Sequence, residues 1–370
     1  MSGCHAETEV PMEIKINKID GHYNGKECFV HARMCGLNEN HLIMTMQKLY
    51  VHACDLFSPL YVSVSKDGGK TWSEPMPDDA FVLPCRGGVS AVGCDASLLI
   101  HKKSGKAVIT GCVTHYRNDE PAEEVGNKTF YSVYDGEKFM PIGIIDIPPQ
   151  YQFKSCNPGS SQFIEEENGD LLVPVSMVKT EGARAVSTVM RCSFDGTRAV
   201  FKEFGNTLEF NHARGIYEPS LCKFRGKYYL TLRNDDYALF AVSGDGIHYS
   251  KPDFWRWDTD EILPSYNTQQ HWLACGDKLY LVYTRRAGNN DHVFRHRAPL
   301  FMAEVDTENM RVLRHTEKIV APERGARLGN FGVCRLSDNH SIITAAEWMQ
   351  PHGCEKYGSN NSIFITDVII

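Results

Sequence analysis

The sequence predicts an all-β protein with the architecture of a six-bladed β-propeller, and three observations lead to this expectation. Helix-period apolar stripes are nearly absent from the chain. Short apolar or alternating runs, bounded by Gly, Asn, Asp and Pro, follow one another instead. One type of turn recurs about every 50 to 70 residues, which indicates repeated supersecondary units. Together these patterns favour a radial arrangement of small sheets.

The apolar runs have the length and composition of β-strands. Each is short, rich in Val, Ile, Leu, Tyr or Thr, and ends at a turn-forming residue. The clearest examples lie at 41–46, 60–65, 107–113, 171–175, 228–232, 279–284 and 341–346. Their even distribution predicts sheets along the whole chain.

The recurring turn is most complete at Ser65-Lys66-Asp67-Gly68-Gly69-Lys70-Thr71-Trp72, and it has weaker copies around Asp135, Asp195 and Asp245. In such a turn the Asp side chain caps backbone amides, Gly supplies a positive φ, and the aromatic residue closes the turn against the sheet. These residues therefore support the scaffold and take no part in chemistry. One copy in each of several units indicates a repeated blade.

The blades are expected to have about four strands each. We place the starts of their inner strands near Arg33, Asp95, Gly159, Glu218, Gln270 and Asn330. An N-terminal strand at 12–19 is expected to join the last blade, which contains 362–370, and so to close the ring and remove its sheet edges. Because no linker-like segment divides the chain, 1–370 is expected to form a single propeller domain.

Composition restricts the function classes. The 370 residues carry a formal net charge of -7, which argues against a surface that binds the phosphate backbone of a nucleic acid independently of its sequence. No apolar run reaches the length of a membrane span, so no membrane partner is expected. The N-terminus lacks a secretory pattern, which predicts a cytoplasmic protein, or a secreted or periplasmic one if a signal peptide has been removed. No pattern predicts a cofactor or a metal site.

The complete turn, S-x-D-x-G-x-T-W, resembles the Asp box of the sialidase (neuraminidase) superfamily, whose BNR-repeat proteins are β-propellers. The resemblance extends over most of the chain through the order of its polar residues. It implies that Arg33, Arg233 and Arg297 bind the carboxylate of a sugar, with Asp95 lining the pocket. It also implies that Asp55 is the acid/base and that Glu218 activates a nucleophile.

These residue types suit the implied chemistry. Three guanidinium groups can bind one carboxylate through bidentate, charge-assisted hydrogen bonds, which the point charge of lysine does less well. A neighbouring carboxylic acid can then protonate the glycosidic oxygen as it leaves. An acidic oligosaccharide or polysaccharide is the substrate expected from such a site.

The chain departs from the sialidase pattern in two respects. The stretch that should carry the catalytic tyrosine is Leu328-Gly329-Asn330-Phe331-Gly332, which has none, so Tyr217, Tyr266 or Tyr283 would have to enter from another blade. The chain also has 15 histidines, and several fall where a propeller presents residues to its central face. Among these we single out His31 as a substrate-binding residue and His271, beside the substrate-binding Gln270, as a catalytic one.

Three functions follow as expectations. The first is a sialidase-like exo-glycosidase that removes a terminal carboxylated sugar of the sialic acid or uronic acid type. The second is a polysaccharide lyase, or a rhamnosidase-like enzyme, that acts at a uronate-containing glycan, with histidine or tyrosine as the base. The third is a propeller that binds glycans without catalysis, which the missing tyrosine would explain.

Overall fold

The structure is a computed structural model that describes residues 12–52 and 56–370. Regular structure within these ranges is almost entirely β. Five single-turn 3-10 helices interrupt it, at Asp79–Phe81, Glu123–Val125, Phe294–His296, Arg314–Thr316 and Cys354–Tyr357. Among the described residues no helix is long and apolar enough to cross a membrane.

The first complete sheet has four antiparallel strands that follow one another in sequence. After β1 (Glu13–Asp20), it comprises β2 (Glu27–Gly36), β3 (Leu42–Tyr50), β4 (Tyr61–Ser65) and β5 (Met76–Pro77). Strand β2 is buried along nearly its whole length, whereas β5 is exposed. The sheet therefore runs from an inner strand to an outer edge, as a propeller blade does.

The next eleven strands form one continuous sheet. They are β6 (Val82–Arg86), β7 (Val89–His101), β8 (Lys106–Arg117), β9 (Glu120–Pro121), β10 (Lys128–Tyr134), β11 (Gly143–Ile144), β12 (Ser155–Asn157), β13 (Ile164–Glu165), β14 (Leu171–Val178), β15 (Val186–Phe194) and β16 (Ala199–Phe204). The two halves are joined where β10 pairs in parallel with β12 through a single residue pair, Lys128 and Cys156.

The remaining strands form three separate sheets. The first contains β17 (Tyr217–Phe224), β18 (Lys227–Arg233), β19 (Ala238–Ser243) and β20 (Asp253–Phe254). The second contains β21 (His271–Cys275), β22 (Lys278–Tyr283), β23 (Leu300–Asp306), β24 (Arg311–Val312) and β25 (Lys318–Ala321). The third contains β26 (Arg327–Leu328), β27 (Gly332–Arg335), β28 (His340–Trp348) and β29 (Ser362–Ile369), together with β1.

The first and last strands of the described chain pair with each other. Strand β1 runs antiparallel to β29 in unbroken register, from Glu13 opposite Ile369 to Asp20 opposite Ser362. The fully buried Asn361 links this sheet to β2, because its side chain accepts a hydrogen bond from the Phe29 amide at 2.8 Å and donates one to the Phe29 carbonyl at 2.7 Å. The last sheet is thereby fixed against the first.

The sheets are arranged as a β-propeller. Inner strands contact one another in the order β14 with β17, β17 with β21, β21 with β27, β27 with β2, and β2 with β7. The 11-stranded sheet, which contains both β7 and β14, completes the ring. A central cavity of about 1050 Å³ is lined by residues of β2, β7, β13, β17, β21 and β27. The strand pairing separates four blade-like sheets, whereas the sequence predicted six blades. The difference arises because the β10–β12 pairing joins strands β6 to β16 into one sheet.

The four recurring turns share one hydrogen-bonding scheme. In the first, Asp67 accepts the Thr71 amide at 2.9 Å, and the Trp72 indole donates to the Gly69 carbonyl at 3.1 Å. Each of the other three turns uses one Asp carboxylate oxygen to accept two successive backbone amides, at Asp135, Asp195 and Asp245. The turns are hairpin caps, remote from the site described next.

Candidate active site

Three inner strands, β2, β7 and β17, each contain a β-bulge. The pairing register shifts between Val30 and Arg33 in β2, between Cys94 and Ser97 in β7, and between Tyr217 and Ser220 in β17. Within each bulge one residue has a positive φ: 56° for His31, 43° for Asp95 and 48° for Glu218. Bulges re-aim side chains, and strained backbone of this kind concentrates at functional sites.

Arg33 lies at the floor of the candidate site. The residue is 3% exposed, and its Nη2 donates to the Ser160 carbonyl at 3.1 Å and to Gln269 Oε1 at 3.2 Å. Its Nε and Nη1 are buried without a hydrogen-bond partner. Burial lowers the pKa of Arg33 to about 9, against the opposing charges of Asp95 and Glu218. A buried cation with unused donors favours binding of an anion.

Arg233 and Arg297 meet at Asn267. Arg233 pairs with the Glu218 carboxylate and donates from Nη2 to the Asn267 side-chain oxygen. Arg297 donates from Nε and Nη2 to the Asn267 backbone carbonyl, at 3.2 and 2.8 Å. Both arginines are buried, so Asn267 holds two guanidinium groups at one point.

The charge of Glu218 reaches all three arginines. It opposes the effect of burial on the pKa of Arg33, Arg233 and Arg297, and it brings the pKa of Arg233 above its ordinary value. Burial, with the charges of Arg233 and Arg327, still holds the pKa of Arg297 well below its usual range. Glu218 is therefore in contact with Arg233, and its charge also acts on Arg33 and Arg297.

Glycine makes room for the Glu218 side chain. A Cβ built on Gly159 would lie 2.7 Å from Glu218 Cγ, and Gly159 has a φ of 60°. The Glu218 amide also donates to Ser176 Oγ at 2.6 Å. The inner segment at Gly159 thus supports Glu218 from the neighbouring sheet.

Asp95 forms a second centre of negative charge, next to His31. Its Oδ1 lies 3.1 Å from His31 Nδ1 and accepts the Ser160 hydroxyl at 2.9 Å, and its amide donates to Gln47 Oε1 at 3.1 Å. Burial raises the pKa of Asp95, but His31, Ser160 and the charge of Arg33 outweigh it, so the pKa lies below its ordinary value. Asp95 is ionised near neutral pH.

This shift predicts acid sensitivity that depends on Asp95. A carboxylate with a lowered folded-state pKa contributes stability above its unfolded pKa of about 3.9, and that stability is lost as pH falls through the folded value. Between pH 6 and pH 2.5, Asp95→Asn should therefore lose less free energy of unfolding than the wild type. Urea denaturation at both pH values measures this. The surface variant Asp277→Asn should behave as the wild type, and an Asp95→Asn slope as steep as the wild-type slope would contradict the assignment.

The other predicted residues occupy different environments. His271 is fully buried, with Nδ1 2.7 Å from Ser220 Oγ and Nε2 3.2 Å from Gln269 Oε1. Burial and the charge of Arg33 hold its pKa well below the ordinary value, so the imidazole is neutral with both nitrogens engaged. Gln270 donates to the Thr268 carbonyl within its own segment. Asp55 lies outside the described residues.

The stretch expected to carry a tyrosine is built into the wall of the site. Phe331 is buried, with its ring 4.8 Å from that of His271, and Asn330 donates to Ser160 Oγ at 3.4 Å. Tyr217 is closest to the triad, since its ring lies 4.8 Å from the Arg233 guanidinium. Its hydroxyl is held by Arg214 and Asp235 at 2.5 and 2.6 Å.

The remaining tyrosines are engaged elsewhere. Burial, followed by Glu317, raises the pKa of Tyr283 well above its usual value, and its hydroxyl donates to that carboxylate at 2.6 Å. Tyr266 stacks with the Arg286 guanidinium at 4.0 Å. Burial also raises the pKa of Tyr217 to about 12. The Tyr217 and Tyr283 phenols are therefore protonated near neutral pH.

Three site residues were missed by the sequence analysis: Ser160, Asn267 and Gln269. Each is uncharged, and each acts by bridging groups from different sheets, so none carries the charge that drew attention to the arginines and Glu218. Strand alternation could have indicated Gln269, because it lies two residues before His271 and on the same face. Within the described ranges no group of three His, Cys, Asp or Glu residues could hold a metal ion.

Comparison with known proteins identifies the fold. No protein-family model matches the sequence, and no curated protein matches it either. Among solved structures, a protein of unknown function from Dyadobacter fermentans DSM 18053 has a TM-score of 0.68 at 16% identity, and the match covers 96% of this chain and 99% of that one.

Sialidases have the same arrangement. The Hadza microbial sialidase Hz136 matches with a TM-score of 0.65 at 12% identity over 91% of this chain, and the sialidase of Trypanosoma rangeli, solved with 2,3-difluoro-KDN, matches with a TM-score of 0.65 at 14% identity over 96%. The matches span 65% and 58% of those two longer chains. At such identities the likeness shows the fold alone: the chain is a β-propeller of the sialidase-like kind.

Proposed function

We propose that the protein is a glycan-cleaving enzyme, an exo-glycosidase that removes a terminal carboxylated sugar of the sialic acid or uronic acid type. The observation that carries this proposal is the buried arginine triad around Glu218, in which Arg33 keeps two donors without a protein partner. A substrate carboxylate would supply the missing acceptors and the missing negative charge. The sialidase-like fold supports a glycan-acting enzyme.

The roles follow from the contacts. Arg33, Arg233 and Arg297 would bind the substrate carboxylate, while Glu218 fixes Arg233 and stabilises positive charge that develops on the sugar ring. By its resemblance to the family, Asp55 would protonate the leaving oxygen. His271 has no part in this proposal, because both of its ring nitrogens are already engaged.

We also propose that the 11-stranded sheet consists of two blades, which gives six in total. Six inner segments line the central cavity, and two of them, β7 and β13, belong to this sheet. The single residue pair that joins β10 to β12 is a minimal connection between two otherwise separate ladders. A propeller of this kind would place all three arginines at one end of the ring.

The activity is tested with a panel of sialosides and uronate glycosides, each beside its neutral analogue. Turnover of the carboxylated member alone is expected, and Arg233→Lys should lower its kcat/KM by about 10²-fold, because lysine cannot bind carboxylate bidentately. The matched control Arg198→Lys, on an exposed turn, should leave kcat/KM unchanged. Equal turnover of the neutral analogues would contradict carboxylate recognition.

The alternatives are distinguished by the products. A lyase would generate the ultraviolet absorbance of an unsaturated uronate without uptake of water. A glycan-binding propeller would bind the carboxylated sugars and turn over none of them. The wild type and Glu218→Gln would then differ only in their affinity for those sugars. Release of a saturated free sugar excludes both.

A further inference from the structure

His31 and Asp95 form a buried imidazole–carboxylate pair within the candidate site. They are 64 positions apart in sequence, yet the bulges of β2 and β7 bring His31 Nδ1 to 3.1 Å from Asp95 Oδ1. Both ring nitrogens are buried and neither has a hydrogen bond of regular geometry, so the 3.1 Å approach to Asp95 is an ion-pair contact of Nδ1, whereas Nε2 has no polar partner at all. An unpaired buried polar atom destabilises the fold, so its retention beside strained backbone calls for a functional reason.

The surroundings of the pair fix how the imidazole holds its proton. Asp95 is ionised and is itself oriented by the Ser160 hydroxyl. A carboxylate at Nδ1 holds the proton on that nitrogen, and the lone pair is then left on Nε2. This is the arrangement of a general base whose tautomer is set by a carboxylate.

The ring itself is held between two aromatic side chains. Its centroid lies 5.6 Å from that of Trp348 and 6.0 Å from that of Phe57, and both contacts leave Nε2 free of polar neighbours. The titratable or charged groups on the elements around it include Asp95 and Cys94 on β7, Arg33 on β2, Tyr116 on β8, Arg327 on β26 and Glu347 on β28.

Arg33 lies two residues beyond His31 on the same strand. A carboxylate bound by the unused Nε and Nη1 of Arg33 would place the sugar ring next to the imidazole. The segment 328–332, in which the family's tyrosine is expected, packs against the His31 ring, since a Cβ on Gly329 would lie 3.0 Å from His31 Cδ2. His31 thus lies beside the stretch that lacks the nucleophile.

We propose that His31 is the catalytic base of this enzyme and that water replaces the tyrosine nucleophile. Nε2 takes a proton from water as the water oxygen bonds to the anomeric carbon, the bond from that carbon to the leaving oxygen breaks, and a carboxylic acid protonates the leaving oxygen. The imidazolium then releases its proton to solvent, and the carboxylate that protonated the leaving oxygen takes one up from solvent. The inference rests on the proposed hydrolysis, and it predicts a product of inverted configuration.

The variant His31→Gln tests the role, because glutamine can keep a hydrogen bond to Asp95 but cannot accept a proton. We expect kcat/KM to fall about 10²-fold or more, the acid limb of the pH profile to disappear, and the dissociation constant for the free product sugar to stay within about threefold. The matched control is His248→Gln, which breaks a His–Asp contact of 2.7 Å on an exposed turn and should leave activity unchanged.

Two measurements complete the test. Proton NMR of the first-formed anomer should show inversion, and nitrogen NMR should show His31 protonated at Nδ1 alone. A retained anomer, an unchanged acid limb in His31→Gln, or a proton on Nε2 in an active enzyme would overturn the base and leave the proposed hydrolysis standing. Absence of turnover by the wild type with the expected tautomer would instead overturn the proposed function, and the base with it.

Discussion

Replacing Glu218 by glutamine is expected to lower kcat/KM for a carboxylated glycoside by about 10³-fold. Removal of one partner from a buried ion pair costs about 3 to 5 kcal/mol, and each 1.36 kcal/mol of transition-state stabilisation is a factor of ten in rate. Glutamine keeps the size of the side chain above Gly159 but leaves Arg233 without its counter-charge. Steady-state kinetics on the best substrate of the panel measures the effect.

The control for this variant is Glu203→Gln. Glu203 also pairs with an arginine, Arg191 at 3.0 Å, but it is half-exposed on β16 and remote from the triad. Its kcat/KM should stay at the wild-type value. Near-wild-type kcat/KM in Glu218→Gln, in a protein with an unchanged unfolding transition, would remove Glu218 from the proposed site.

Replacing Trp255 by alanine is expected to lower the free energy of unfolding by about 3 to 5 kcal/mol. The side chain is fully buried, with ring centroids 4.8 Å from Phe240 and 5.6 Å from Trp272. Its loss would leave a large cavity between the sheets that carry β19 and β22, where neighbouring aromatic rings cannot close in without leaving their rotamers. Urea denaturation followed by far-ultraviolet circular dichroism measures the change.

Trp72→Ala is the matched control for Trp255→Ala. Trp72 is half-buried, and its indole donates to the Gly69 carbonyl within its own turn. The expected loss is therefore smaller, about 1 to 2 kcal/mol. Equal losses in the two variants would show that the apolar contacts between these sheets contribute no more than one hairpin cap.

The fold was predictable from the sequence because its signals are local. The turn at Asp67 and its copies each use an Asp carboxylate to accept nearby amides, so the pattern is visible in one stretch of eight residues. The number of separate sheets was not predictable in the same way. It depends on the single pairing of Lys128 with Cys156, which no local pattern encodes.

Of the candidate site, the sequence predicted the charged residues but not the uncharged residues that connect them. Arg33, Arg233 and Glu218 could be singled out because the order of polar residues along the chain resembles that of the sialidase superfamily. In the structure Arg233 pairs with Glu218, whose charge also acts on Arg33. Asn267 and Gln269 could not be singled out, since their role is to bridge side chains that arrive from other sheets. The catalytic role predicted for His271 followed from its polar sequence neighbours, but Gln269 and the distant Ser220 engage its two ring nitrogens.

The bulges place His31, Asp95 and Glu218 at positions that do not take part in the regular strand pairing of the blades. Each side chain projects from a kink of the same kind, outside the regular hydrogen-bond ladder of its strand. An exchange of residue at such a position can alter what the ring binds or transforms while the pairing on either side stays intact. The backbone there accepts Asp, Asn, His and Gly most readily, so new specificities on this scaffold are most accessible through those four residue types.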